Sequence, residues 1–264
     1  TASRLVYGLL SDSRYAYRPR ALDQTAADQV FDKYLETLDG GKQFFVQADI
    51  DGFAPMRAEV GNAIRAGRMD MAYAIFDTYK QRAADRVAHA RELLKSEPDF
   101  SVAERYDYDR KDAAWAADSA ELDEIWRKSI KNDWLRLKLA GKPAADIRST
   151  LDKRYATLLK SIGELKGDDV FAFFLNAYTA SIDPHTDYLT PRSAENFNQA
   201  MSLSLEGIGA QLQRQDDVVV IREIIAGGPA AMDGTLQPGD RIVGVGQGRD
   251  GAIEDVIGWR IDDV

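Results

Sequence analysis

The sequence predicts a mainly α N-terminal domain followed by a small α+β domain. Three observations carry this. Apolar residues recur at helical spacing from the N-terminus to about residue 180. Beyond Met201 the pattern changes to short β-like runs punctuated by Gly, Pro and Asp. Between the two regimes lies Ile182-Asp-Pro-His-Thr-Asp-Tyr-Leu-Thr-Pro191, whose two prolines break the helical pattern and favour a turn. The expected division is a helical domain over 1–182, a linker over 183–200 and the α+β piece over 201–264.

The helices follow in order. Leu5, Leu9 and Leu10 place a helix at the start, so a chain that opens at Thr1 without Met reads as a mature or trimmed product. Val30, Phe31, Tyr34, Leu35 and Leu38 form a stripe stopped by Gly40-Gly41. A second helix is expected from Asp49 to Gly67, carrying Phe53, Met56, Val60 and Ile64. The longest runs from about Asp70 to Lys95, through Ile75, Phe76, Tyr79, Val87 and Leu94, with Pro98 just beyond. After a Tyr/Asp-rich stretch, Leu122, Ile125, Trp126, Ile130, Trp134 and Leu137 mark a helix over 119–139, and Ile147, Leu151, Tyr155 and Leu158 another. Asp168 is expected to cap a last one, apolar on most faces (Val170, Phe171, Phe173, Phe174, Tyr178) and therefore central.

In the second region, Ala210–Gln215 and Val218–Ile224 read as strands around a turn at Asp216-Asp217. Ala226-Gly-Gly-Pro-Ala-Ala231 opens a short helix with Pro229 near its first position. Leu236-Gln-Pro-Gly-Asp240 is a tight turn, Arg241–Val245 a β-type run, and a further helix is expected from about Val256.

Composition narrows the function. A net charge of −9 with no basic block argues against nucleic-acid binding. No apolar run approaches the length of a membrane span. With no Cys, thiol catalysis and Cys-based zinc sites are excluded, and the compartment is left open.

The segment with most chemical content is Met201-Ser-Leu-Ser-Leu-Glu-Gly-Ile-Gly-Ala210. It resembles the carboxylate-binding loop of a PDZ domain, in which successive backbone N–H groups form a nest for a free C-terminus. On that reading Gly207, Ile208, Gly209 and Ala210 line the carboxylate end. Gln211 and Leu212 pair with an extended peptide by strand addition. Ile257 and Ile261, four apart on the last helix, wall the groove, although Ile261 is as readily a core residue.

Several blocks extend the resemblance over the whole chain: Phe31-Asp-Lys-Tyr-Leu-Glu-Thr-Leu-Asp39, Ile147-Arg-Ser-Thr-Leu-Asp-Lys-Arg-Tyr155, Asp183-Pro-His-Thr-Asp-Tyr-Leu-Thr-Pro-Arg192, Gly239-Asp-Arg-Ile-Val-Gly-Val-Gly246 and Asp255-Val-Ile-Gly-Trp-Arg260. With them the chain resembles the C-terminal processing peptidases. The resemblance implies a periplasmic serine endopeptidase with a Ser-Lys dyad, acting on proteins with apolar C-terminal tails. It also implies a helical-repeat lipoprotein adaptor as a partner, and no metal or cofactor. Measured against that family the PDZ piece is incomplete and the nucleophile segment is not present, so no catalytic residue is assigned. Ser129 and Lys131 sit two apart on a helix and would point to different faces. The alternative from another class is a non-enzymatic periplasmic scaffold or adaptor that binds protein tails.

Other signals favour structural readings. His185, beside two carboxylates, lacks a neighbouring nucleophile, and His89 reads as a boundary residue in mid-helix. Asp49-Ile-Asp51-Gly52 starts like a calcium loop, but Ala54, Pro55 and Met56 break the pattern. Tyr106-Asp-Tyr-Asp109 reads as a solvated turn with anchored rings, and the tryptophans at helical spacing as core.

Overall fold

The computed structural model of the protein describes residues 2–16, 18–202, 207–248 and 251–264. The chain divides into two compact units, Thr1–Thr190 and Pro191–Val264.

The first unit is helical: α1 (Ala2–Ser11), α2 (Gln24–Asp39), α3 (Gln47–Arg57), α4 (Val60–Ala66), α5 (Asp70–Leu93), α6 (Ser119–Leu139), α7 (Ala144–Gly163) and α8 (Gly167–Ile182). Helix α2 begins where the Asp23 carboxylate accepts the Ala26 N–H at 2.8 Å, meeting one of the donors every helix start leaves open. Its stripe of Val30, Phe31, Tyr34 and Leu38 is buried as expected, against Phe174 and Tyr178 of α8. Tyr34 packs edge-on to Phe174 at 5.3 Å, and its hydroxyl donates to the Ala72 carbonyl at 2.8 Å. A second cluster lies between α5, α6 and α7, built from Val87, Ala90, Trp126, Ile130, Trp134 and Leu151. There the Trp126 indole donates to the Gln43 carbonyl at 2.7 Å.

Two local expectations are corrected. The single helix expected over 49–67 is two. Pro55 removes a backbone donor inside α3, and the Glu59 N–H closes a turn onto the Met56 carbonyl at 3.0 Å before α4 starts. Helix α4 does end at Gly67, with φ at 69° and paired bonds from Gly67 N–H to Ile64 and Arg68 N–H to Ala63. At α8, Asp168 is not the cap. Lys166 holds that position, and Asp169 reaches back to its N–H at 2.8 Å.

Two loops are tied down by charge. Asp39, at the end of α2, is buried, and its carboxylate accepts the N–H groups of Gln43, Phe44 and Phe45 at 2.7–2.9 Å. Burial raises the Asp39 pKa, and the three amide bonds oppose that rise. The irregular stretch between α5 and α6 lies along α6 like a strap. Glu104 pairs with Arg127 and Lys131, Glu97 with Lys138 at 2.6 Å, and the Lys131 ammonium also donates to the Val102 carbonyl at 2.9 Å. Within the strap Tyr106 is half-buried and Tyr108 exposed.

The second unit opens with α9 (Pro191–Ser202), so part of the stretch expected as linker is helical. Arg192 of α9 pairs with Asp263 at 2.8 Å. A three-stranded antiparallel sheet follows, in the order β1 (Ala210–Gln215), β2 (Val218–Ile224), β3 (Arg241–Ile242). Asp216, with φ at 54°, makes the β1–β2 turn. Pro229 starts the short α10 (Pro229–Asp233). Strands β4 (Gly244–Gly246) and β5 (Ile253–Asp255) form a separate antiparallel pair, and β5 was not foreseen. Val218, Val219, Ile221, Ala230 and Val256 are the buried apolar residues described in this unit.

The helix expected from Val256 does not form. Residues 256–264 make successive turns: Gly258 takes a left-handed φ of 84°, which interrupts any helix, and a single helical turn closes from Val264 N–H to the Arg260 carbonyl. Ile257 and Ile261 therefore do not share a helix face.

Candidate peptide-binding site

The candidate site combines one loop and one strand edge. Gly207, Ile208 and Gly209 lead directly into β1; Leu203–Glu206, the first half of the predicted loop, lie outside the described residues. Two carbonyls anchor the loop. Ile208 accepts from the Ala230 N–H at 2.8 Å and Gly209 from the Ile225 N–H at 2.9 Å. No described residue accepts a hydrogen bond from the N–H groups of Gly207, Ile208 or Gly209. The loop thus spends the carbonyls of Ile208 and Gly209 on the protein and keeps its donors.

Gly209 is required by its surroundings. Its φ is 76°, and a Cβ there would lie 3.0 Å from both Gly228 Cα and Pro229 Cδ. The close neighbour is the start of α10, so the glycine serves first to let two stretches of backbone meet. The Gly-Gly-Pro run held the signal for this contact, which sequence reasoning used only to place the helix.

Strand β1 pairs with β2 on one side and with no described strand on the other. A register shift between Gln211 and Leu212 bends it near the loop. Ala210 and Leu212 are half-buried while Gln211 is exposed, the alternation of a strand with one covered face. Ile208 is half exposed beside the loop. The structure thus brings together Gly207, Ile208, Gly209, Ala210, Gln211 and Leu212. Ile257 and Ile261 are placed elsewhere: the Gly258 N–H donates to the Asp217 carbonyl at 2.7 Å, so Ile257 lies by the hairpin tip, and Ile261 is half-buried in the terminal turns.

The competing motifs have their own partners. Asp49 accepts from Nε and Nη2 of Arg82, at 2.9 and 2.7 Å, and from the Val46 N–H, which makes it a cap and an ion-pair partner. Lys131 is committed to Glu104 and Val102. The His185 ring is 91 % exposed, and the His185 N–H holds the Asp183 carboxyl below its ordinary range. His89 is half-buried on α5, 3.8 Å from Asp123.

Comparison with known proteins agrees with this architecture. Residues 9–192 match the family described as the tail specific protease N-terminal domain, and residues 198–264 match the PDZ domain family. The tail-specific protease of Haemophilus influenzae is 38% identical over 252 residues, covering 94% of this chain and 36% of that protein. The carboxy-terminal processing protease CtpA of Bacillus subtilis is 38% identical over 63 residues, covering 24% of this chain and 13% of its own. A crystal structure of the PDZ domain of a carboxy-terminal protease from Vibrio cholerae in complex with peptide shares 58% identity over 22% of this chain and 59% of that one, with a TM-score of 0.22. The chain spans about a third of the length of the Haemophilus relative. Its helical unit and its strand unit each match a distinct family in the expected order, and the chain belongs to the tail-specific protease family.

Proposed function

We propose that this chain is the substrate-recognition portion of a periplasmic serine-type C-terminal processing protease, and that it captures the apolar C-terminal tails of other proteins. One observation carries the reading: a loop with unspent backbone donors runs straight into a strand whose outer edge is unpaired among the described residues. A carboxylate meets the donors of Gly207, Ile208 and Gly209, and the preceding tail residues add as a strand along Ala210–Gln215. Side chains of the tail alternate between the face of Leu212 and that of Gln211. Cleavage belongs to the longer protease, where a Ser-Lys dyad would perform it, and the helical unit offers the surface for a helical-repeat lipoprotein adaptor.

The test is a calorimetric titration of this chain with an apolar tail peptide, as the free acid and as the C-terminal amide. The free acid is expected to bind at least about tenfold tighter, since the amide removes the charge that the N–H nest receives. Equal affinity would overturn the carboxylate reading. Hydrolysis of the same peptide by the full-length gene product separates a protease from a tail-binding scaffold, and fractionation of the source cell tests the compartment.

A further inference from the structure

The helical unit itself carries a groove of about 710 Å³ between the C-terminal half of α5 and the first turns of α7. Ala88 and Ala145 contribute apolar surface to it over the buried Leu94, and Arg91, Lys95 and Arg148 line it against one carboxylate, Asp152. That carboxylate is already used. Arg91 Nε and Nη2 approach its two oxygens at 2.6 and 3.2 Å. Lys95 reaches Glu92 at 2.6 Å on the open surface, where such a pair is held weakly. Arg148 is exposed and has no hydrogen-bond or ion-pair partner among the described residues. On a chain of net charge −9, the groove gathers cations where the rest of the molecule is acidic.

We propose that this groove binds an acidic peptide segment of a partner protein. The guanidinium of Arg148 offers a complete fork of donors, the geometry that takes a carboxylate in two parallel hydrogen bonds. Arg91 is pre-positioned by Asp152, so a second carboxylate meets an ordered cation. Lys95 adds positive charge at one end, and the small Ala145 leaves room for a peptide backbone over the groove. A concave site suits a narrow chain. An anionic membrane is a broad surface that would face the net negative charge of the molecule around the groove, whereas a narrow acidic segment meets mainly the groove's cations, which works against lipid as the occupant.

The probe is a fluorescent hexaglutamate peptide amidated at its C-terminus, which keeps it out of the proposed carboxylate loop. Its anisotropy is followed with the full 264-residue chain in about 50 mM salt, where surface charges are little screened. Saturable binding that Arg148→Glu weakens at least about tenfold, and that hexalysine does not reproduce, is the expected result. Arg148 is exposed and unpartnered, so the substitution should leave the circular dichroism spectrum unchanged. Absence of binding, or equal binding by the Arg148→Glu chain, would overturn the proposal. So would sedimentation of the chain with phosphatidylserine vesicles in a manner abolished by Arg148→Glu, which would make the groove a lipid site. Because Gly209 lies outside the groove, Gly209→Val is expected to leave hexaglutamate binding intact even if tail capture fails.

Discussion

The Gly258 N–H donates to the Asp217 carbonyl at 2.7 Å and pins the segment after β5 to the tip of the β1–β2 hairpin. The opposite end of the same hairpin is fixed by Ile225 N–H on the Gly209 carbonyl. From Asp217 to Ile225 is eight residue steps, roughly 25 Å of extended strand. Ile257 and the partly exposed Trp259 thus flank one end of the edge strand, and the carboxylate loop the other.

This separation sets a length requirement for a captured tail. A tail antiparallel to β1, with its carboxylate at Gly207–Gly209, has to run the whole six-residue strand before it nears the hairpin tip. Peptides of about three residues, covering roughly 10 Å, should compete for the loop without changing Trp259 emission. Peptides longer than β1 should change it. A Trp259→Phe chain isolates this signal from the other three tryptophans. An equal response to short and long tails would place the indole next to the loop and refute the layout.

Gly209 is the position where a single Cβ does most damage. Its left-handed φ costs a side-chain-bearing residue about 1–3 kcal/mol, and the contact with Gly228 and Pro229 has no flexible side chain to yield. Gly209→Val is expected to lower the denaturant midpoint of the second unit and abolish tail capture, with the helical unit's transition unchanged. Gly209→Ala should show the same effects in smaller measure. Full tail affinity in Gly209→Val would remove the loop from the site.

What the sequence made legible follows from the range of the interactions. Helices α5 and α6 are long and periodic, so their buried stripes of Ile75, Val87, Trp126 and Trp134 could be read from spacing alone. Strands β1 and β2 were bounded by their own turn residues. The break at Ala58-Glu59 was hidden because Phe53, Met56, Val60 and Ile64 keep helical spacing across it. The expected helix after Val256 failed on one residue, Gly258, whose conformation is set by a distant partner, Asp217. Six of the eight predicted site residues are contiguous, 207–212, and the structure keeps them together; Ile257 and Ile261 depended on that missing helix. The strap was invisible for a related reason: Glu104 finds Arg127 twenty-three residues away.

Asp39 is a buried carboxylate whose value lies in the three amides it caps. Asp39→Ala leaves the Gln43, Phe44 and Phe45 donors without their acceptor, beside the buried ring of Phe45. A loss of about 3 kcal/mol is expected, the cost of burying unsatisfied donors. Asp39→Asn keeps one acceptor oxygen and should lose less. The pH dependence has a definite sign: because burial raises the folded-state pKa, the Asp39 contribution is fullest below the unfolded value and diminishes as pH rises through the folded one. Chemical denaturation of the wild-type, Ala and Asn chains across the mildly acidic range checks both points. Indistinguishable stabilities for all three chains would mean that water replaces the carboxylate at no cost.

Glu104 predicts the opposite pH response. Hydrogen bonds from Arg127 and then Lys131 lower its pKa from 4.5 to about 2. With the folded value depressed, the stabilisation it gives the strap is present above the unfolded pKa and is lost as pH falls from about 4.5 through about 2. The clamp joins a segment without regular secondary structure to one face of α6, so its loss is expected to be local rather than global. Hydrogen exchange should show the amides of residues 100–106 opening in the wild-type chain only in that acid window. In Glu104→Gln the same amides should already exchange faster at neutral pH, with no further acid step, while the buried stripe of α6 stays protected. Identical exchange in the two chains at neutral pH would mean that Glu97–Lys138 and the packing of Phe100 against Lys138 suffice to hold the strap.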